Sequence, residues 1–124
     1  MRIIKFRAWD DIEKKMVYFN LKDYMTIHSL VAYNGEFYVK FHFMQFTGIL
    51  DKNGKEIYER DIIRAGNSDI CTVGWNSRYA SFGLTKRGWL YDHYFGEALN
   101  SGDCEIIGNR FENPDLARGE VGLG

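Results

Sequence analysis

The sequence predicts a small, mainly β domain of the barrel or sandwich kind, and three observations carry that prediction. Short segments of alternating apolar and polar residues follow one another at close spacing. Aromatic residues make up 16% of the 124 residues, against a single proline, and rings fit the pleated, half-buried surface of a sheet. Asn53-Gly54 separates two such segments as a tight-turn signal. Strands divided by long regular helices are missing from the pattern, which disfavours a parallel α/β sheet.

The elements follow in order. Ile4, Phe6 and Ala8 alternate with Lys5, Arg7 and Trp9, Asp10-Asp11 break the run, and residues 16–19 resume it, so a hairpin is expected over 3–19. Over 21–33, Leu21, Tyr24, Met25, Leu30 and Val31 could line a helix face, but the segment is short and carries β-branched residues. Asn34-Gly35 is a turn signal. Residues 36–43 then alternate, with Phe37, Val39, Phe41 and Phe43 on one side and Tyr38, Lys40 and His42 on the other. Residues 44–50 lead into a type I′ turn at Asn53 and Gly54, then a strand at 56–58 and an apolar restart at 61–64. Gly48 fits a bulge or sharp bend. Strands are expected at 70–75 and 79–85 around an Asn76-Ser77-Arg78 turn, with Lys86-Arg87-Gly88 ending the second. Residues 92–100 have near-helical spacing and a Ser101-Gly102 stop, 104–111 form a last strand before Pro114, and the glycine-bearing tail 115–124 frays.

Charge and cysteine content narrow the function classes. Sixteen Lys and Arg against seventeen Asp and Glu give a formal charge of −1, which argues against nucleic-acid binding driven by net charge. Cys71 and Cys104 lack C-x-x-C spacing and read as reduced, partly buried thiols, bridged only if their strands adjoin. The first seven residues interleave charge with apolar side chains, unlike a signal peptide, and no run approaches the roughly 20 apolar residues of a spanning helix. A cytoplasmic, non-membrane protein is the expectation.

Three blocks of residues resemble the YopX family of bacteriophage and prophage proteins. They are Ile4-Lys5-Phe6-Arg7-Ala8-Trp9-Asp10; Gln45-Phe46-Thr47-Gly48 with Asp51-Lys52-Asn53-Gly54-Lys55-Glu56-Ile57-Tyr58-Glu59; and Ile106-Ile107-Gly108-Asn109 with Glu112-Asn113-Pro114. They lie in the family's order and span nearly the whole chain. The resemblance implies a small SH3-like, partly open barrel with an N-terminal β-hairpin subdomain and one short helix. With length and the lack of a linker, the expectation is a single YopX-like domain over 1–114, with a subdomain at about 1–43, a barrel-like region at about 44–114 and a flexible tail at 115–124. It supplies no reaction and no ligand. One departure stands out: Arg60 occupies a position before Asp61 where the family usually has glycine, and a positive φ there would strain it.

Candidate chemistry weakens on inspection. Asp51, Asn53 and Glu56 suggest a calcium loop, but the EF-hand spacing fails and a hairpin explains them. His28, His42 and His93 form no metal-spaced pair, and neither cysteine sits at an expected helix start where thiolates are favoured. Asn53, Gly54 and Asp61 read as structural turn residues, Asp61 by accepting backbone N–H bonds. No catalytic, metal or cofactor residue is assigned. The remaining cluster is Trp75, Arg78, Lys86, Arg87 and Trp89, with Tyr79 beside it and a second row of Arg2, Lys5, Arg7 and Trp9. Such groups bind a partner or single-stranded nucleic acid on some small barrels; alternatively, the tryptophans fill a core and the cations solvate its rim. The expected function is a non-enzymatic protein-interaction or self-association module, homo-oligomeric and meeting a host or phage protein. A nucleic-acid-binding barrel is the alternative.

Overall fold

Alternation sets out nine strands among the residues that the computed structural model describes, which are 3–20, 22, 23, 25, 41–64, 70–78, 80–86, 89–92 and 104–116, with backbone alone at 86 and 89–92. They are β1 (Lys5–Asp10), β2 (Lys15–Asn20), β3 (Phe41–Leu50), β4 (Glu56–Tyr58), β5 (Asp61–Arg64), β6 (Ile70–Asn76), β7 (Ser81–Lys86), β8 (Trp89–Asp92) and β9 (Glu105–Asn109). One sheet has the order β2-β1-β3-β4 and the other β8-β7-β6-β5-β9. The fold is β-rich as predicted, and neither sheet closes into a barrel among the described strands. The chain divides into two compact units, Met1–Gly48 and Ile49–Gly124. The expected turn at Asn34-Gly35, the helix beyond Asp92 and the tail from 117, together with residues 65–69, lie outside the described residues. Within 21–33, only Lys22, Asp23 and Met25 are described, and they are helical. Asn20 caps them by accepting the Asp23 N–H at 2.9 Å.

In the first unit β1 is central, pairing antiparallel with β2 and β3. Asp10 shapes the β1–β2 turn, its Oδ1 accepting the N–H groups of Ile12 and Glu13 at 3.0 Å each. Cross-strand partners share a face, so Phe19, Phe41 and Phe43 gather on the Ala8 side, with ring centroids 6.1 and 6.2 Å apart. Met44 and Phe46 lie on the Arg7 and Trp9 side and are buried with them. Of the row Arg2, Lys5, Arg7 and Trp9, Arg7 is 3% exposed and Trp9 6%, in line with the core-filling alternative, while Lys5 is half-buried and Arg2 lies outside the described residues. Both faces of β1 are covered within the chain itself, so its two-sided apolar pattern does not call for a second copy.

In the second unit β5 lies between β6 and β9. One sheet face buries Ile57, Ile63, Cys71, Val73, Leu84 and Cys104 completely, with Ile49, Phe82 and Ile106 packed against them. A bulge between Ile62 and Ile63 leaves Ile107 without an opposite residue, because Ile62 pairs with Gly108 and Ile63 with Ile106. Cys71 and Cys104 flank β5 from opposite sides, which sets them roughly 10 Å apart by strand spacing, beyond disulfide reach. Both are free thiols in the core.

Four local expectations need correction. Residues 36–43 and 44–50 were expected as successive segments, whereas Phe41–Leu50 is one strand, bent at Gly48 with φ +89°. The β3–β4 turn is not type I′, because only Gly54, at +80°, has positive φ. Gly54 N–H donates to the Asp51 carbonyl at 3.0 Å and Asp51 N–H to that of Lys55 at 2.8 Å. This is a type I turn followed by a left-handed glycine, favoured because the Asp51 carboxylate already binds the loop amides. Chain 89–92 forms strand β8, with Trp89, Leu90 and Tyr91 supplying β propensity, so Asp92 ends a strand rather than starting a helix. Finally, Asp115 and Leu116 belong to a helical turn begun by Pro114, with Leu116 N–H donating to the Asn113 carbonyl.

Candidate functional site

Most residues of the three sequence blocks described in the second unit are engaged in building a corner. Asp51, 4% exposed, accepts the N–H groups of Asn53 and Lys55 on Oδ1, at 2.8 and 2.9 Å, and that of Ile106 on Oδ2, at 3.1 Å. Burial works to raise its pKa, but these three amides and the nearby Lys55 charge outweigh it and hold the carboxyl below its ordinary value. Lys52 N–H donates to the Cys104 carbonyl at 2.9 Å, and Lys52 Nζ meets Glu105 at 2.8 Å. The Lys52 bond, ahead of its charge, lowers the Glu105 pKa. The hairpin loop thus covers part of the outer edge of β9, satisfying backbone groups that would otherwise invite another strand. Asn53 and Gly54 shape that loop and are exposed.

Asp61, 2% exposed, accepts the Tyr58 N–H at 2.8 Å across the β4–β5 turn. Within that turn Arg60 takes φ +71°. Its N–H donates to Val73 and its carbonyl accepts from Arg110, at 2.8 and 2.9 Å. At the end of β9, Asn109 Oδ1 accepts the N–H groups of Phe111 and Glu112, and Asn109 Nδ2 donates to Glu112 Oε1. Asn113 Oδ1 accepts the Asn109 N–H and packs on Gly108, where an added Cβ would come within 2.5 Å of that oxygen.

The free end of the β6–β7 hairpin is built differently. Trp75 is 51% exposed, and its ring meets Phe82 edge-on with centroids 5.1 Å apart. Phe82 itself leans on the core, so the tryptophan is braced yet accessible. Arg78 is exposed in the turn, its N–H held by Asn76 Oδ1 at 3.0 Å. A groove of about 220 Å³ runs beside them, lined by Gly74, Trp75, Asn76, Ser77, Gly83 and Thr85. Gly74 pairs with Gly83 across the strands, and a Cβ on Gly74 would meet nothing within 4 Å. Of the remaining cluster, Lys86 and Trp89 are paired through their backbones. Their side chains and all of Arg87 lie outside the described residues. The groove was not anticipated: the sequence shows Gly74 and Gly83, but only the β6–β7 register sets them opposite one another.

His42 and Asp11 pair at 2.9 Å on the first unit, and this bond, ahead of other causes, lowers the Asp11 pKa. His28 and His93 lie outside the described residues. Among the described residues no group of three or more His, Cys, Asp and Glu could hold a metal ion. Nor is any described helix long and apolar enough to cross a membrane.

The family model described as YopX protein matches residues 5–117. No match is found among curated proteins. A solved structure, protein EF1440 from Enterococcus faecalis, is similar with a TM-score of 0.63 at 22% identity, covering 94% of this chain and 99% of that one. At that identity the likeness concerns the fold alone.

Proposed function

The chain belongs to the YopX family, and we propose that it is a non-enzymatic interaction module of a phage or prophage. In this reading it works in the cytoplasm of the bacterial host, where it self-associates and meets a host or phage protein. The observation that carries the reading is Trp75, half exposed, braced by Phe82 and set beside an open groove. Braced aromatics at groove edges are the usual anchors of protein interfaces, because they cover much apolar area and lose little side-chain entropy. Asp51, which invited a metal reading, and Asp61, read as a turn acceptor, both accept backbone amides. Sedimentation velocity tests the reading: the wild type should self-associate at micromolar concentration, and Trp75→Ser should run as a monomer. A wild type that stays monomeric at high micromolar concentration rejects self-association.

The second reading, single-stranded nucleic acid stacked on Trp75 with Arg78 at its phosphates, is favoured by the closeness of these residues at one hairpin end. Titration with oligonucleotides at low salt decides it, and binding insensitive to salt, or none, removes it.

A further inference from the structure

We propose that Asn53-Gly54 is a latent deamidation site, held closed by the Asp51 carboxylate, and that its reaction uncovers the outer edge of β9. An asparagine followed by glycine is the pairing most open to this chemistry, because glycine puts no side chain in the way of its own amide nitrogen. The steps balance with water as the only co-reactant. The Gly54 amide gives up its proton to water or hydroxide, and its nitrogen bonds to Asn53 Cγ. The Cγ–Nδ2 bond breaks and ammonia leaves, taking up a proton. Water then opens the cyclic imide to aspartate or isoaspartate. Both residues are exposed, so water reaches the site.

The loop opposes the first of these steps. Gly54 N–H donates to the Asp51 carbonyl at 3.0 Å, which makes Asn53 the third residue of a type I turn, with ψ of roughly 0°. At that angle the Gly54 nitrogen stands beside the Asn53 nitrogen and away from its Cβ, so the ring cannot close until the peptide turns. Turning it breaks the Gly54 bond and pulls on those at either side, where Asp51 Oδ1 accepts the N–H groups of Asn53 and Lys55 at 2.8 and 2.9 Å. Asp51 is buried, and its third amide, from Ile106, ties the clamp to β9. Its negative charge also resists loss of the Gly54 proton. A carboxyl held below its ordinary value is too weak a base to take that proton itself.

The product matters because of what the loop covers. Isoaspartate routes the main chain through Cγ and so adds a methylene to the turn. The turn then no longer closes over the same atoms. Lys52 N–H and Asp51 Oδ2 lose the positions from which they meet the Cys104 carbonyl at 2.9 Å and the Ile106 N–H at 3.1 Å. β9 is the end strand of its sheet, so backbone groups freed there become available to another strand. One carboxylate thus keeps both the reactive pair and the sheet edge closed.

Peptide mapping of the full chain after incubation at mildly alkaline pH tests the assignment, through the mass of the Asn53 peptide and its isoaspartate content. The folded protein should deamidate at Asn53 at least about tenfold more slowly than the same chain in urea. Asp51→Ala should speed the reaction of the folded protein about tenfold. Gly108→Ala, which weakens the same unit at the other end of β9, should change it less than about twofold. If Asp51→Ala does not fold, Asp51→Asn, which keeps one oxygen, should still give about a threefold increase. In the isoaspartate-bearing fraction the Ile106 amide should exchange its hydrogen faster than in unreacted protein. Equal rates for folded and urea-unfolded wild type, no acceleration in the Asp51 variants, or equal acceleration by Gly108→Ala would each overturn the clamp. Unchanged exchange at Ile106 would overturn its link to the β9 edge.

Discussion

The β4–β5 corner and the free end of the β6–β7 hairpin belong to one compact unit, and they use polar residues in opposite ways. At the corner, Asp51, Asp61 and Asn109 are nearly sealed from solvent, and each accepts backbone amides from other parts of the loop or strand network. At the hairpin end, Arg78 faces solvent, Trp75 is half exposed, and the Gly74 position has open space above it. Buried amides must find acceptors, so a corner with few regular ladder bonds recruits side chains in fixed positions. An open hairpin end has no such requirement, and its residues can answer to a partner. The second-unit residues that announce the family are therefore mostly those that hold the corner, and they say little about binding.

The contrast can be broken most severely at Asp51. Asp51→Ala leaves three amides without their acceptor, one of them on β9, and should cost about 3 kcal/mol in urea unfolding. A loss under about 1 kcal/mol would mean that water replaces the carboxylate and that the corner is not closed. Gly108→Ala comes next, at about 2 kcal/mol. Its Cβ would collide with Asn113, whose Oδ1 cannot swing away without releasing the Asn109 N–H. The double change Gly108→Ala with Asn113→Ala should recover part of the collision cost but not the lost acceptor, so the pair should be non-additive.

Sequence patterning made the strands legible where one rule acted alone. β1, β2, β6 and β7 follow their alternation, and Asp61 was readable as a turn acceptor because Asp in that setting has few other uses. The β3–β4 turn was misread because two signals competed: Asn53-Gly54 favours type I′, but Asp51 binds the amides of Asn53 and Lys55 and imposes another turn. That Arg7 and Trp9 are interior could not be seen from period two alone, since alternation assigns two faces without saying which is covered. The groove was hidden for a related reason. Gly74 and Gly83 become neighbours only through the β6–β7 register, which no local pattern states.

Acid should loosen the corner before it affects the hairpin end. Asp51 has its folded pKa lowered, so its contribution is complete above the unfolded value of about 3.9 and is lost as pH falls through the lower folded value. Stability should thus stay level from neutral pH to about pH 5 with respect to this group, then decline below about pH 4. Asp51→Asn should be less stable at neutral pH and show a shallower decline in the acid range. Parallel declines for both proteins would place the acid sensitivity elsewhere, Asp11 and Glu105 being among the described carboxylates held low by their partners.

Trp75→Ser should have the smallest effect on stability, and that smallness is its value. The ring is half exposed and its main described contact is the edge of Phe82, so its loss should cost less than about 1 kcal/mol. Fold and binding separate at this residue if unfolding barely changes while self-association disappears. A cost near that of Asp51→Ala would show instead that the tryptophan finishes the core by covering Phe82, making the hairpin end as architectural as the corner. The two regions would then differ in exposure but not in purpose, and the contact between copies would have to be sought elsewhere, for example on the first unit, where Tyr18 is 60% exposed on β2.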